Sequence, residues 1–107
     1  MDLQVVGYKV IDWCSDYWDV HPEVLFYPVS HSKIKCCVQS YEHDWHIGTY
    51  VIEVSVDQSL RDFIATIVHE MVHVKQWTTG KWRGDGEREA YRLQYKLTDR
   101  LWKDDIL

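Results

Sequence analysis

The chain has 107 residues, of which 46% are hydrophobic and 14% aromatic, so it can bury one core but is too short for two. Its net charge of -5 argues against general binding to nucleic-acid backbones, and no apolar run approaches the ~18 residues of a membrane span. We therefore expect a single domain over residues 1–107, located in the cytoplasm, with neither nucleic acid nor membrane as a partner.

The first half of the chain predicts one helix followed by strands. Over Leu3–Trp18, apolar residues recur every three or four positions, which is typical of an amphipathic helix. The apolar run over residues 24–29 and the alternation over residues 34–40 favour two strands. Residues 50–56 alternate in the same way, so we expect a sheet of about three strands.

The second half predicts two helices. Ser59 has the sequence context of a helix cap, and the helix that follows over residues 60–78 is apolar around most of its circumference, so it should run through the interior. Gly80 marks its end. The Gly-Asp-Gly segment at 84–86 predicts a hinge that caps a last helix over Glu87–Lys103. These elements together predict an α+β fold.

An HExxH sequence containing His69, Glu70 and His73 lies in the middle of the predicted interior helix. Two histidines four positions apart lie about 40° apart on one helical face, so both imidazoles can bind one tetrahedral metal ion. Glu70 lies beside them, able to reach a metal-bound water. The alternative is a pair of hydrogen-bonded core histidines, which would bear a desolvation cost that a metal offsets. The pattern therefore favours a metal site.

A catalytic zinc site needs a third protein ligand, and no histidine or cysteine follows His73. A downstream ligand must then be a carboxylate, and the nearest acids are Asp85, Glu87 and Glu89. On a helical wheel Glu87 falls in the core-facing arc, about 60° from Ala90, whereas Glu89 falls among charged residues at about 260°. We predict Glu87 as the ligand and keep Glu89 as the runner-up. The wheel favours for Glu89 a solvated position, paired with Arg92 three residues later. Complementing the helix dipole is the alternative role of Glu87.

The segment HEMVHVKQW, followed by a short glycine-bearing spacer and EREAY, resembles the small SprT-like zinc metallopeptidases of phage and bacterial type, and more broadly the minigluzincins. The similar stretch covers residues 47–95. The resemblance implies a zincin-like fold, Zn²⁺ as cofactor, Glu87 as the metal-binding Glu, and an edge strand before the HExxH helix along which an extended peptide lies. Tyr91 stands where many gluzincins have Asp. The third His of the Spartan-type branch is absent, so we do not transfer that branch's DNA-linked role.

These residues predict a zinc metallopeptidase that cleaves a protein or peptide substrate, with Glu70 as the general base. Tyr91, and after it Tyr95, are candidates for stabilising the oxyanion. The alternative for both is a ring packed in the core with the hydroxyl at the surface. The competing hypothesis is a zincin-fold binding or regulatory module with a structural metal and little or no proteolytic activity. Because the chain leaves little for a lower cleft wall, we also allow for a regulatory or cleft-completing partner protein.

The remaining chemistry-bearing residues have ordinary interpretations. Three cysteines without CxxC spacing are interpreted as reduced structural thiols. His43 and His46 favour a solvated turn over a second metal site. For Trp77, Trp82 and Trp102 the pattern favours hydrophobic filling over the wall of a substrate cleft.

Overall fold

The computed structural model describes residues 2–30, 36–40 and 49–104, with residues 36–40 described as backbone. It contains helices α1 (Leu3–Trp18), α2 (Leu60–Thr79) and α3 (Glu87–Lys103) and strands β1 (Glu23–Val29), β2 (Cys36–Ser40) and β3 (Thr49–Ser55). The α+β class and the three predicted helices are confirmed. Over the described ranges, no helix is long and apolar enough to cross a membrane.

The sheet has the order β1-β3-β2. β1 runs parallel to β3 with Phe26 opposite Ile52, and β2 runs antiparallel to β3 with Val38 opposite Ile52. β3 therefore pairs on both sides, and the expectation that the strand before the HExxH helix is an edge strand is wrong. The alternation along a strand determines which face is buried, whereas it carries no information on which neighbours pair with it.

The core lies between the sheet and the helices. Alternate residues of the parallel strand pair supply one side of it, namely Val24, Phe26, Tyr50, Ile52 and Val54. α1 comes so close to the sheet that a Cβ added at Gly7 would lie 2.1 Å from the Phe26 ring. α2 contacts α1, α3, β2 and β3, which makes it the interior helix, as predicted. Its polar residues are therefore held among packed elements.

The ends of α2 and α3 place the two helices next to each other. Ser59 Oγ accepts a hydrogen bond from the backbone N–H of Asp62 at 3.1 Å, as the cap prediction required, and α2 ends at Gly80. α3 begins after Gly86, with Asp85 Oδ1 accepting from the backbone N–H of Glu87 at 3.0 Å. The first turn of α3 is thereby fixed beside the middle of α2.

Candidate metal centre

The face of α2 that carries His69, Glu70 and His73 is buried. These residues are 7%, 5% and 8% exposed. The helical repeat places the two imidazoles one turn apart, with ring centroids separated by 5.2 Å. A buried polar group without a partner costs about 1–3 kcal/mol, so this cluster requires partners from elsewhere in the fold.

Glu87, in the first turn of α3, faces the two histidines. Its Oε1 atom lies 3.3 Å from Nε2 of His69 and also contacts Nε2 of His73. The potential ligand atoms of the three residues all lie within 4.8 Å of one another. The fold thus brings together the three residues that the sequence predicted as metal ligands.

In each of the two histidines, each ring nitrogen lies next to an oxygen atom of another side chain. Nδ1 of His69 lies 2.7 Å from Oε1 of Gln94, and Nδ1 of His73 lies 2.9 Å from Oε1 of Gln76. Both Nε2 atoms face the Glu87 carboxylate. A neutral imidazole has a single N–H, so it donates to one of its two oxygens only. When Nδ1–H donates to the amide, both Nε2 lone pairs converge on the carboxylate, and a cation stabilises that arrangement.

The donor set fits a divalent metal ion. Tetrahedral zinc with bonds of about 2.1 Å has ligand atoms about 3.4 Å apart. The separation of 3.3 Å between Nε2 of His69 and Oε1 of Glu87 is close to that value. Imidazole nitrogen and carboxylate oxygen together suit zinc and other divalent transition metals. The three residues therefore offer donor atoms that could hold such an ion.

A cavity of about 680 Å³ opens at the three ligands. Glu70 lines this cavity together with His69 and His73. Asp57 and Asp62 also line it. There is accordingly room for a ligand next to the metal position, with Glu70 at its side.

Trp77 forms part of the cavity wall. Its indole stacks on the imidazole of His73 with centroids 5.9 Å apart, and on Tyr50 with centroids 5.8 Å apart. Trp77, Trp82 and Trp102 are 40%, 45% and 47% exposed. The prediction that these three tryptophans fill the core is therefore wrong. Trp77 lies one turn after His73 on the helical face that opens to the cavity, which explains its position.

The two tyrosines proposed as oxyanion donors are exposed but differ in their contacts. The Tyr95 hydroxyl donates to Oδ1 of Asp62 at 2.6 Å, and this hydrogen bond, together with partial burial, raises the pKa of Tyr95. Tyr91 is 64% exposed and its ring packs against the His69 ring with centroids 4.8 Å apart. Since the Tyr95 proton is already donated to Asp62, Tyr91 is the better placed of the two. Core packing, the alternative for both, is wrong.

Glu89, the runner-up ligand, contacts α2 but not the histidines. Its Oε2 accepts from Nζ of Lys75 at 2.7 Å and its Oε1 accepts from Nε2 of Gln76 at 2.9 Å. Partial burial by itself raises the pKa of Glu89, but these two hydrogen bonds and the charges of Lys75 and Arg92 outweigh it and lower the pKa below its ordinary value. The prediction of a solvated Glu89 is wrong, because a helical wheel does not show which polar groups the neighbouring helix presents.

Sequence reasoning missed Gln76 and Gln94, the two amides that contact the histidines. The signal for Gln76 was its position three residues after His73, which on a helix places the two side chains on one side. Gln94 lies two turns after Glu87 on α3, so the helical repeat places it above the same ligand cluster. His43 and His46 lie outside the described residues.

Comparisons with known proteins gave no match. No protein-family model matches the chain, and neither a curated protein nor a solved structure matches it.

Proposed function

We propose that this protein is a zinc-dependent metallopeptidase that hydrolyses peptide bonds in an extended protein or peptide substrate. The observation that carries the proposal is the convergence of His69, His73 and Glu87 at an open cavity that Glu70 also lines. Two imidazoles, one carboxylate and a neighbouring acid are the groups that metal-assisted hydrolysis requires.

Each residue of the site has a defined task in this reaction. A zinc ion, when bound, supplies Lewis-acid polarisation of the scissile carbonyl and lowers the pKa of a water molecule to about 7. Glu70 accepts a proton from the attacking water and afterwards donates it to the leaving amine. Trp77 and Tyr91, which pack against the two histidines, limit ring rotation and border the substrate position. Tyr91 is our candidate for donating a hydrogen bond to the developing oxyanion.

The number of ligands favours catalysis over a structural metal. Structural zinc sites are closed by four protein ligands, whereas catalytic sites keep a position for water or substrate. Among the described residues, the cluster that holds His69, His73 and Glu87 has three ligand groups and adjoins a cavity. A structural site also has no use for the buried carboxylate of Glu70 beside its first ligand.

The order of the site residues along the chain supports a place among the SprT-like peptidases and the wider minigluzincins. HExxH lies on α2, and the third ligand lies in the first turn of the next helix, α3. We include a zincin-like fold in the proposal on the same grounds. The central position of β3 separates this chain from the edge-strand arrangement of that family, so the peptide must lie along another path across the cavity.

The test is a comparison of wild type with Glu70→Gln. We expect purified wild-type protein to contain about one zinc per chain and to cleave a fluorescently labelled, unfolded casein. Glu70→Gln should retain the zinc and lose at least ~100-fold in turnover, because a general base contributes about 10²- to 10⁴-fold. Glu23→Gln, which neutralises an exposed acid on β1, is the matched control and should behave as wild type.

The outcomes separate the two candidate functions. Equal turnover by wild type and Glu70→Gln would refute a catalytic role for that residue. A wild-type protein that binds zinc but cleaves nothing would favour the module with a structural metal.

A further inference from the structure

We propose that Gln76 is a positioning residue, which Glu89 and the Gly86 carbonyl hold in one orientation so that His73 presents its Nε2 atom to the metal. This inference depends on the metal-binding part of the proposed function and not on peptide hydrolysis. It gives a role to Glu89, an acid that does not contact the histidines.

The hydrogen bonds of the Gln76 amide leave it a single orientation. Its Nε2 donates to the backbone carbonyl of Gly86 at 3.0 Å and to Oε1 of Glu89 at 2.9 Å. A carbonyl and a carboxylate only accept hydrogen bonds, so the NH₂ group must face them and the amide oxygen must face the other way. The side chain is nine-tenths or more buried, at 1% residue exposure, so water does not compete for these bonds.

The orientation of Gln76 determines where the proton of His73 resides. Oε1 of Gln76 lies 2.9 Å from Nδ1 of His73 and accepts only, so Nδ1 must carry the hydrogen. In the neutral imidazole, the Nε2 lone pair is then available on the side where Glu87 lies. Ligating histidines in metal sites depend on such a hydrogen bond to their second nitrogen for ring orientation and basicity.

Lys75 and Gly86 support this arrangement from two sides. Nζ of Lys75 donates to Oε2 of Glu89 at 2.7 Å, which leaves Oε1 of Glu89 for Gln76. Gly86 has φ 79, and a Cβ added there would lie 2.1 Å from Oε1 of Gln76. Because Gly86 directly precedes Glu87, the Gln76 amide also connects His73 to the turn from which Glu87 follows.

Gln94 offers a comparison within the same site. Its Oε1 lies 2.7 Å from Nδ1 of His69. Oε1 of Gln76 has the corresponding contact with Nδ1 of His73, at 2.9 Å. Gln76 differs in that its NH₂ group is held by two acceptors on α3 and on the turn before it. We therefore expect the effect of Glu89 to be confined to His73.

The primary experiment combines zinc affinity with NMR of the zinc-loaded protein. Wild type should show a His73 ring bound through Nε2, with an Nδ1 proton that exchanges slowly with water. In Gln76→Leu that proton should exchange rapidly while the Nδ1 proton of His69 keeps its wild-type rate. Zinc affinity, measured by competition with a chromophoric chelator, should fall about 10- to 100-fold, the usual effect of removing such a partner.

A second pair of variants tests the inference without altering a buried side chain. Glu89→Gln keeps an oxygen that accepts from Gln76, whereas Glu89→Leu does not, and both remove the ion pair with Lys75. The difference between these two variants thus reports the effect of a hydrogen-bond acceptor at position 89, without the charge of the carboxylate. We expect Glu89→Leu to bind zinc several-fold more weakly than Glu89→Gln and to show faster exchange of the His73 Nδ1 proton.

Each outcome decides the inference. A His73 ring bound to zinc through Nδ1 in wild type, or equal zinc affinity and equal proton exchange in Glu89→Gln and Glu89→Leu, would overturn it. If wild type cleaves casein but Glu89→Gln and Glu89→Leu bind zinc equally well, this inference is refuted and the proposed function stands. Zinc-binding protein that cleaves nothing but shows the expected exchange rates defeats the peptidase proposal alone. Wild type that binds no zinc overturns both.

Discussion

Nε2 of His69 and Oε1 of Glu87 lie 3.3 Å apart although 18 sequence positions separate the two residues. The turn over residues 80–86 allows this contact. α2 ends at Gly80 and α3 begins after Gly86, and both glycines have the left-handed conformation. α3 then packs along α2, and its first turn lies opposite the histidine pair. The candidate ligands therefore come from two adjacent helices, which the turn between them brings together.

Glu87→Gln tests the ligand assignment. A neutral amide is a poor ligand for zinc, so we expect zinc affinity to fall by more than ~100-fold, beyond the effect of losing a supporting hydrogen bond. Zinc should raise the midpoint of thermal unfolding of wild type and leave that of Glu87→Gln almost unchanged. Arg88→Gln, the exposed neighbour, is the control and should respond to zinc as wild type. A larger loss in Glu89→Gln than in Glu87→Gln would reverse the assignment.

The lowered pKa of Glu89 predicts a pH dependence of stability. Its pKa in the folded protein lies below the ordinary value of 4.5, so its stabilising effect is present above about pH 4.5 and is lost as the pH falls through the lower, folded-state value. Urea unfolding of zinc-free protein between pH 7 and about pH 3 should show a smaller acid-induced loss in Glu89→Gln than in wild type. Lys75→Met, which removes the ion-pair partner, should also reduce the loss. Identical pH profiles in all three proteins would contradict the prediction.

Gly86 and Gly84 form a matched pair for testing the turn before α3. Both have positive φ, 79 and 60, so alanine at either position is strained by about 1–2 kcal/mol. A Cβ at Gly84 meets nothing within 4 Å, whereas one at Gly86 overlaps the Gln76 amide. We expect both variants to lower the free energy of urea unfolding, Gly86→Ala more strongly. Only Gly86→Ala should also weaken zinc binding, by about tenfold, and equal zinc affinity in the two variants would refute this.

Local sequence patterns were sufficient for the elements and for most of the candidate site. The spacing of apolar residues predicted α1 at Leu3–Trp18, and the Gly-Asp-Gly segment predicted α3 from about Glu87 to Lys103; the structure has these bounds. The helical repeat placed His69 and His73 on one face, and the wheel of α3 selected Glu87 over Glu89. The positions of these side chains agree with the structure because each depends on the geometry of a single helix, which the sequence specifies over a few turns.

Only the tertiary structure decided three other features. They are the pairing of β3 on both sides, the contact of Glu89 with Lys75 and Gln76, and the place of Trp77 in the cavity wall. Each of these depends on which two elements lie against each other and at what offset. Periodicity along one element shows which face is buried but not what covers it, so contacts between elements become visible only when the whole chain is packed.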